Sequence, residues 1–73
     1  MAQITIGELE AMLADCIPGA TIGMKTHNRV VYHPDGRTYP SLPRYDNMMV
    51  MHIRKLARFF KIFDCAKKHI QSL

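Results

Sequence analysis

His27 and Arg29 are the two side chains of this sequence whose types and spacing best suit chemistry on a phosphate. On a strand, two residues at this spacing lie on one face about 7 Å apart, so they can contact adjacent atoms of one nucleotide. RNA supplies its own nucleophile, the 2′-hydroxyl, so a protein needs only a base near neutral pKa and a cation for the phosphorane charge. His27 is therefore the candidate general base or acid, with Arg29 or Lys25 as the stabilising cation.

The element that must position these side chains is a predicted hairpin. A β-branched run leads into Pro34-Asp35-Gly36, which is typical of a turn, and a second extended segment follows. Strand alternation predicts one solvent-facing set and one core-facing set. The predicted solvent-facing residues are His27, Arg29, Val31 and His33, and the predicted core-facing residues are Asn28, Val30 and Tyr32.

Length and composition predict a single domain, residues 1–73, close to the lower size limit for folding without disulfides or a metal. No apolar run approaches the roughly 20 residues of a membrane span. The start of the sequence lacks the basic-then-apolar layout of a signal peptide, so we expect a cytoplasmic protein without a membrane partner. Cys16 and Cys65 are then expected to be reduced, mostly buried thiols rather than a disulfide.

Charge is unevenly distributed along the chain. Residues 1–20 carry three acids and no Lys or Arg, whereas residues 21–73 carry all ten Lys and Arg against three acids. Such a basic portion suits an acidic partner, most often nucleic acid. A basic protein without such a partner remains an alternative.

Periodicity predicts helices at both ends of the chain. Thr5 and Glu8 form a capping box for a first helix over residues 5–17, which Pro18-Gly19 ends. Strands are predicted over residues 20–25 and around residues 37–42, the latter short or at a sheet edge because Pro40 cannot donate a ladder hydrogen bond. The spacing predicts α+β architecture in the order αβββα(α), with a three-stranded antiparallel sheet covered on one face by helices.

A long second helix is predicted from an N-cap at Asp46. Its apolar stripe faces the core, and a basic ridge on the opposite side is either a solvated face or a phosphate-contacting surface. A short final helix over residues 65–72, capped by Asp64, is possible, although no Gly or Pro marks a break before it. The apolar stripe comprises Met49, Ile53, Leu56, Phe60 and Phe63, and the ridge comprises Arg54, Arg58 and Lys61.

The four His and two Cys show no close metal-ligand pair, and His27 and His33 would lie about 20 Å apart on one strand. We therefore expect no metal site and no cofactor. Nucleophilic catalysis is weakly indicated, because Cys16 lies on a core stripe and no Ser lies in a recognisable elbow.

Several motifs, in their order along the chain, resemble the HicA family of toxin–antitoxin mRNA interferases. Leu9 to Leu13 lies where that family has its first helix, and Thr26-His27 falls where it has Gly-Ser-His-His. The segment 32–37 is similar to the family's His-Pro-Asp-Gly-Arg turn. Leu42-Pro43-Arg44 corresponds to the end of the third strand, and Ile53 to Ile62 resembles the Leu-Arg-x-Ile-Leu helix.

The resemblance implies a double-stranded-RNA-binding-domain-like fold, metal-independent cleavage of mRNA, and a HicB-like antitoxin as protein partner. The family's catalytic histidine maps onto His27. Lys25, Thr26 and Asn28 stand where the family has Gly, Ser and His, and Lys61 replaces the glycine that ends the penultimate helix. The residues expected to contact RNA are Lys25, Arg29, Arg37, Arg54, Arg58 and Lys61.

Two alternatives stay open beside the endoribonuclease hypothesis. The same scaffold can act without catalysis as a small phage or host interaction protein, with exposed Met48, Met51 and Phe59 as an adaptable docking patch. Residues 56–62 with the segment from Asp64 onward also resemble a helix-turn-helix, but the three preceding strands and the missing turn glycine argue against DNA binding.

Overall fold

The computed structural model describes residues 3–73, which form an α+β fold with two small sheets and three helices. The elements are β1 (Gln3–Ile4), α1 (Ile6–Cys16), β2 (Thr21–Met24), β3 (Arg29–Tyr32), β4 (Thr38–Leu42), β5 (Met48–Met49), α2 (Val50–Phe59) and α3 (Phe63–His69). Strands β2, β3 and β4 form an antiparallel sheet in that order, and β1 pairs with β5. The predicted αβββα(α) architecture is confirmed. Within residues 3–73, only the β1–β5 ladder lies outside it.

Helix α1 begins with the predicted capping box. The Glu8 backbone N–H donates to the Thr5 hydroxyl, and the Thr5 backbone N–H donates to the Glu8 carboxylate, both at 3.1 Å. These bonds satisfy two of the donors that a helix start leaves without partners. The helix ends where Ile17 donates to the Leu13 carbonyl, and Gly19 follows at a φ of 92°.

The predicted faces of strand β3 are reversed in the structure. Val31 is fully buried in the core between sheet and helices, whereas Val30 is buried outside that core. Register explains the reversal, because Val31 pairs with Ile22 and Tyr39, both of which pack against the core. On the opposite face the Tyr32 ring lies over Gly23, where a Cβ atom would come within 2.8 Å of it.

The predicted edge position of Pro40 is confirmed, since β4 lies at one side of the three-stranded sheet. The β3–β4 connection is the predicted turn, with Gly36 at a φ of 99°, a conformation that glycine adopts without a steric penalty. His33 and Arg37 close this turn through an N–H to carbonyl bond of 2.8 Å.

Helix α2 begins later than predicted. Met48 and Met49 form β5, and Met49 rather than Asp46 is the N-cap of α2. The Asp46 carboxylate accepts a hydrogen bond from Arg29 instead. Ile53, Leu56 and Phe60 are buried as predicted, and the two ends of the predicted stripe, Met49 and Phe63, are half-buried.

A turn separates α2 from α3. Lys61 adopts the left-handed conformation at a φ of 59°, and its N–H donates to the Arg58 carbonyl. The helix therefore breaks before α3, with Ile62 rather than Asp64 as the α3 N-cap. Lys61 consequently lies outside the helical ridge that the sequence predicted for Arg54, Arg58 and Lys61.

The prediction of two reduced thiols is wrong for this structure. Helices α1 and α3 pack side by side, which brings the Cα atoms of Cys16 and Cys65 to 5.8 Å and allows a disulfide across a sequence separation of 49. Spacing along the chain carries no information about such a contact. Within residues 3–73, no helix combines the length and apolar character that a bilayer crossing requires.

Candidate nucleic-acid interface

Most of the residues predicted to form one site lie in two groups at opposite ends of strand β3, and Arg29 and Arg54 belong to neither group. Lys25 and His27 belong to the β2–β3 loop, which we call the loop end. Arg37 follows the β3–β4 turn, where α2 also finishes, and we call this region the turn end.

At the loop end, the backbone is held while the His27 side chain is exposed to solvent. The Lys25 N–H donates to the Asn28 carbonyl at 2.7 Å, and the Arg44 guanidinium donates to the Thr26 carbonyl at 2.8 Å. His27 therefore lies in a tight loop between two cationic residues. Arg44 was missed as a site residue, because only the tertiary fold brings its segment back to this loop.

Arg29 does not join His27 at the loop end. Its residue is only 7% exposed, and its guanidinium donates to the Tyr45 carbonyl at 3.0 Å and to the Asp46 carboxylate at 2.9 Å. The prediction that His27 and Arg29 share a solvent-facing strand surface is wrong, because β3 begins at Arg29 and His27 precedes it in the loop. Arg29 thus anchors the segment before β5.

At the turn end, Arg37 is fixed by an acid and an aromatic ring. Its guanidinium Nε lies 2.7 Å from the Asp35 carboxylate and its Cζ atom lies 5.5 Å from the centre of the Phe60 ring. The Arg37 backbone N–H, which donates to Asp35, lowers the pKa of that carboxyl, and the Arg37 guanidinium adds to this effect. The His33 ring packs on the same Phe60 ring at 5.4 Å between centroids.

Three aromatic rings form a continuous group beside Arg37. Phe59 lies edge-on to Phe60 at 5.0 Å between centroids, and Tyr39 lies 5.4 Å from Phe59. Phe59 remains 47% exposed although it contacts both rings. Burial raises the pKa of the Tyr39 hydroxyl above its ordinary value. Phe59 is therefore the accessible ring of a packed aromatic group.

The end of α2 also borders an open cleft of about 440 Å³ between α2 and α3. Arg58 and Lys61 both line it, and the Arg58 Cζ atom lies 5.6 Å from the centre of the Phe63 ring. Arg54 lies farther back on α2, where its guanidinium reaches the Ser72 carbonyl at 3.5 Å. Arg58 and Lys61 therefore lie at the end of α2, where Arg37 packs on Phe60, whereas Arg54 lies away from it.

The predicted methionine docking patch is only partly present. Met48 is fully buried in β5, while Met51 is 41% exposed near the start of α2 and Phe59 lies at its other end. Phe59 instead belongs to the aromatic group with Tyr39 and Phe60. The sequence did signal this group, since basic residues flank two aromatic ones along residues 58–61, but it gave no pairing with β4.

Comparison with protein-family models, with curated proteins and with solved structures found no match.

Proposed function

We propose that this protein binds single-stranded RNA at the turn end, through the exposed face of Phe59 and the cations around it. The single observation that carries the proposal is the juxtaposition of a half-exposed ring, Phe59, with three cations at one helix end. Tyr39 and Phe60 contact the ring, Arg37 packs on Phe60, and Arg58 and Lys61 are the cations at the same end of α2. This is an RNA-binding role of the kind expected from the resemblance to HicA-like proteins.

Aromatic rings and cations at this spacing suit unpaired nucleotides. Each base offers a π-face that stacks on Phe or Tyr, and such stacking contributes about 1–3 kcal/mol per base. The phosphates that link the bases are attracted by Arg and Lys, which makes affinity salt-dependent. Duplex RNA buries its base faces, so a stacking surface favours single strands over duplexes.

The binding test uses a fluorescein-labelled single-stranded RNA of 12 nucleotides, measured by anisotropy in increasing KCl. The Phe59→Ala variant is expected to bind about 5–100-fold more weakly, because one stacking contact is lost. Met51→Ala is the matched control, since it removes an exposed apolar side chain from the other end of α2. The Arg58→Ala variant should reduce the slope of log affinity against log salt by about 0.7, and Lys68→Ala, on α3, should change it less.

Several outcomes would overturn RNA binding at this surface. Absence of binding at low salt, or equal losses of RNA affinity for Phe59→Ala and Met51→Ala, would exclude Phe59 as a stacking surface. Preference for duplex DNA would favour a helix-turn-helix role for α2 and α3. Salt-insensitive capture of a protein by Phe59 would instead favour a docking function, for which a HicB-like antitoxin is the partner to test first.

The loop end supports a second proposal, cleavage of the bound RNA by His27. The observation that favours it is an exposed imidazole in a hydrogen-bonded loop, with Lys25 two residues before it and Arg44 bonded to the preceding carbonyl. The imidazole would take the proton of the 2′-hydroxyl as its oxygen attacks the phosphorus. The bond to the 5′-oxygen then breaks, that oxygen gains a proton, and a 2′,3′-cyclic phosphate remains.

The cleavage test is labelled mRNA with purified protein in EDTA, because this mechanism requires no metal ion. His27→Ala should retain RNA affinity and lose cleavage by about 10²–10⁴-fold. Arg44→Ala should reduce cleavage without abolishing it, since Arg44 supports the loop and supplies a cation. Equal cleavage by wild type and His27→Ala would indicate a contaminant, and binding without cleavage would leave a non-catalytic RNA binder.

A further inference from the structure

Four potential metal ligands converge where the end of α1 meets α3. Asp15 and Cys16 are the last two residues of α1, and Cys65 and His69 lie one helical turn apart on α3. One ligand atom from each lies within 4.8 Å of every other. The Asp15 carboxylate is 2.8 Å from His69 Nε2 and 3.8 Å from Cys65 Sγ.

This donor set matches the preferences of Zn²⁺ once the sulfurs are reduced. Zinc takes four ligands in a tetrahedron, at about 2.3 Å from sulfur and about 2.0–2.2 Å from nitrogen and oxygen. Neighbouring ligand atoms are then roughly 3.3–3.8 Å apart. The distance of 3.8 Å between Asp15 and Cys65 already fits, whereas the bonded sulfurs and the Asp15–His69 pair at 2.8 Å must move apart to admit the ion. The separation of 5.8 Å between the two cysteine Cα atoms leaves room for the sulfurs to rotate apart.

We propose that the reduced chain binds one Zn²⁺ ion through Cys16, Cys65, His69 and Asp15. A dithiol or phosphine reductant supplies two electrons, the S–S bond breaks, and each sulfur becomes a thiol. Zinc then displaces the two thiol protons and binds the thiolates, His69 Nε2 and an Asp15 oxygen. The disulfide and the zinc site use the same sulfurs and exclude each other.

The position of the cluster supports exchange between the two states. Both sulfur-bearing residues are half-buried, and Cys65 also lines the open cleft beside Arg58. A reductant or an ion can therefore approach from the cleft. Two thiolates and a carboxylate exceed the charge of Zn²⁺ by one, and Lys67 and Lys68 lie on the same short helix to balance it.

The direct test substitutes Co²⁺ for zinc and follows its visible spectrum. Protein reduced with a phosphine and desalted anaerobically is expected to bind one equivalent, giving thiolate-to-cobalt charge transfer and the intense d–d bands of a tetrahedral site. Zinc should displace the cobalt. Oxidised protein, whose sulfurs are bonded to each other, is expected to show neither feature.

Variants identify the ligands. His69→Ala keeps both cysteines and is expected to weaken zinc binding by more than roughly 10–100-fold, the loss typical when only a residue that orients a metal ligand is changed, whereas His27→Ala should leave it unchanged. Asp15→Asn tests the fourth ligand in the same way. The proposed site is excluded if the reduced chain with Co²⁺ gives no charge-transfer band or if His69→Ala binds zinc as tightly as the wild type.

Circular dichroism separates metal binding from loss of fold. If reduction alone unfolds the chain, zinc is expected to restore the helical signal, because a metal that binds the folded state stabilises it. Zinc bound by an unfolded dithiol would restore no structure and would not respond to His69→Ala. That pair of results would exclude the proposed site.

Discussion

The two ends of strand β3 carry similar residues, but these side chains are packed at the turn end and exposed at the loop end. At the turn end, His33 packs on Phe60 and Arg37 is held by both Asp35 and Phe60. At the loop end, His27 is exposed and only the backbone on either side of it is bonded. Asp35 and Tyr39, whose pKa values are shifted, both belong to the turn end. The packed end is the one that we propose to bind RNA, and the exposed end is the one that we propose to transfer a proton.

Removing the ring at the centre of the turn end should have the largest effect on stability. Phe60 is 3% exposed and contacts His33, Arg37, Tyr39 and Phe59. Phe60→Ala is expected to lower the free energy of unfolding by about 3–5 kcal/mol, measured by denaturant titration. His27→Ala should change it by less than about 0.5 kcal/mol. Similar values for the two variants would contradict the difference between the ends.

The buried Arg29 side chain, at the start of β3 beside the loop end, gives an intermediate effect. Asp46→Ala leaves the Arg29 guanidinium with the Tyr45 carbonyl alone and should cost about 1–2 kcal/mol of unfolding free energy. This loss of unfolding free energy is limited because the Asp46 side chain is 72% exposed. Glu10→Ala, which removes an exposed acid of α1, is the charge-matched control. If Asp46→Ala and Glu10→Ala lower the free energy of unfolding equally, the contact between Asp46 and Arg29 does not stabilise the fold.

Lys61 allows stability and binding to be separated at the turn end. Its left-handed φ of 59° is strained for a side chain with a Cβ atom, so Lys61→Gly should raise unfolding free energy by about 0.5–1 kcal/mol. The same change removes a cation and should weaken RNA binding. Lys61→Ala should weaken binding equally without the gain in stability. Unchanged RNA affinity in both variants would exclude Lys61 from the interface.

The smallest predicted effect is a pH dependence at the turn end. The Asp35 pKa is lowered in the folded state, so its stabilising contribution is present above the unfolded value of about 3.9 and is lost as pH falls through the folded value. Asp35→Asn should therefore lose less stability than the wild type between about pH 4 and pH 2. Thermal unfolding across that range measures the difference, and parallel curves would contradict it.

Local signals predicted much of this fold. The Thr5–Glu8 capping box and the Pro34-Asp35-Gly36 turn act within a few residues, and both appear as expected. The faces of β3 were reversed because Val30 and Val31 are both apolar, so alternation alone could not choose between them.

The parts that sequence patterns missed depend on distant contacts. Strands β1 and β5 have two residues each, too few for a visible alternation, and pair only in the folded chain. The same reason applies to the Cys16–Cys65 bridge and to Arg44. Strand alternation in the sequence included His27 in strand β3 and so placed it on one surface with Arg29. In the structure His27 lies in a loop, and the predicted site is divided between the two ends of β3.

The docking of α1 against α3 has a consequence for synthesis on the ribosome. At 5–20 residues per second, about 2–10 s separate the translation of Cys16 from that of Cys65. During this interval the apolar stripe of α1 lacks the α3 surface that later covers it, including Ala66. Part of the α1 stripe, which includes Leu9, Met12 and Leu13, therefore stays uncovered until α3 has been synthesised, and folding is completed only after that point.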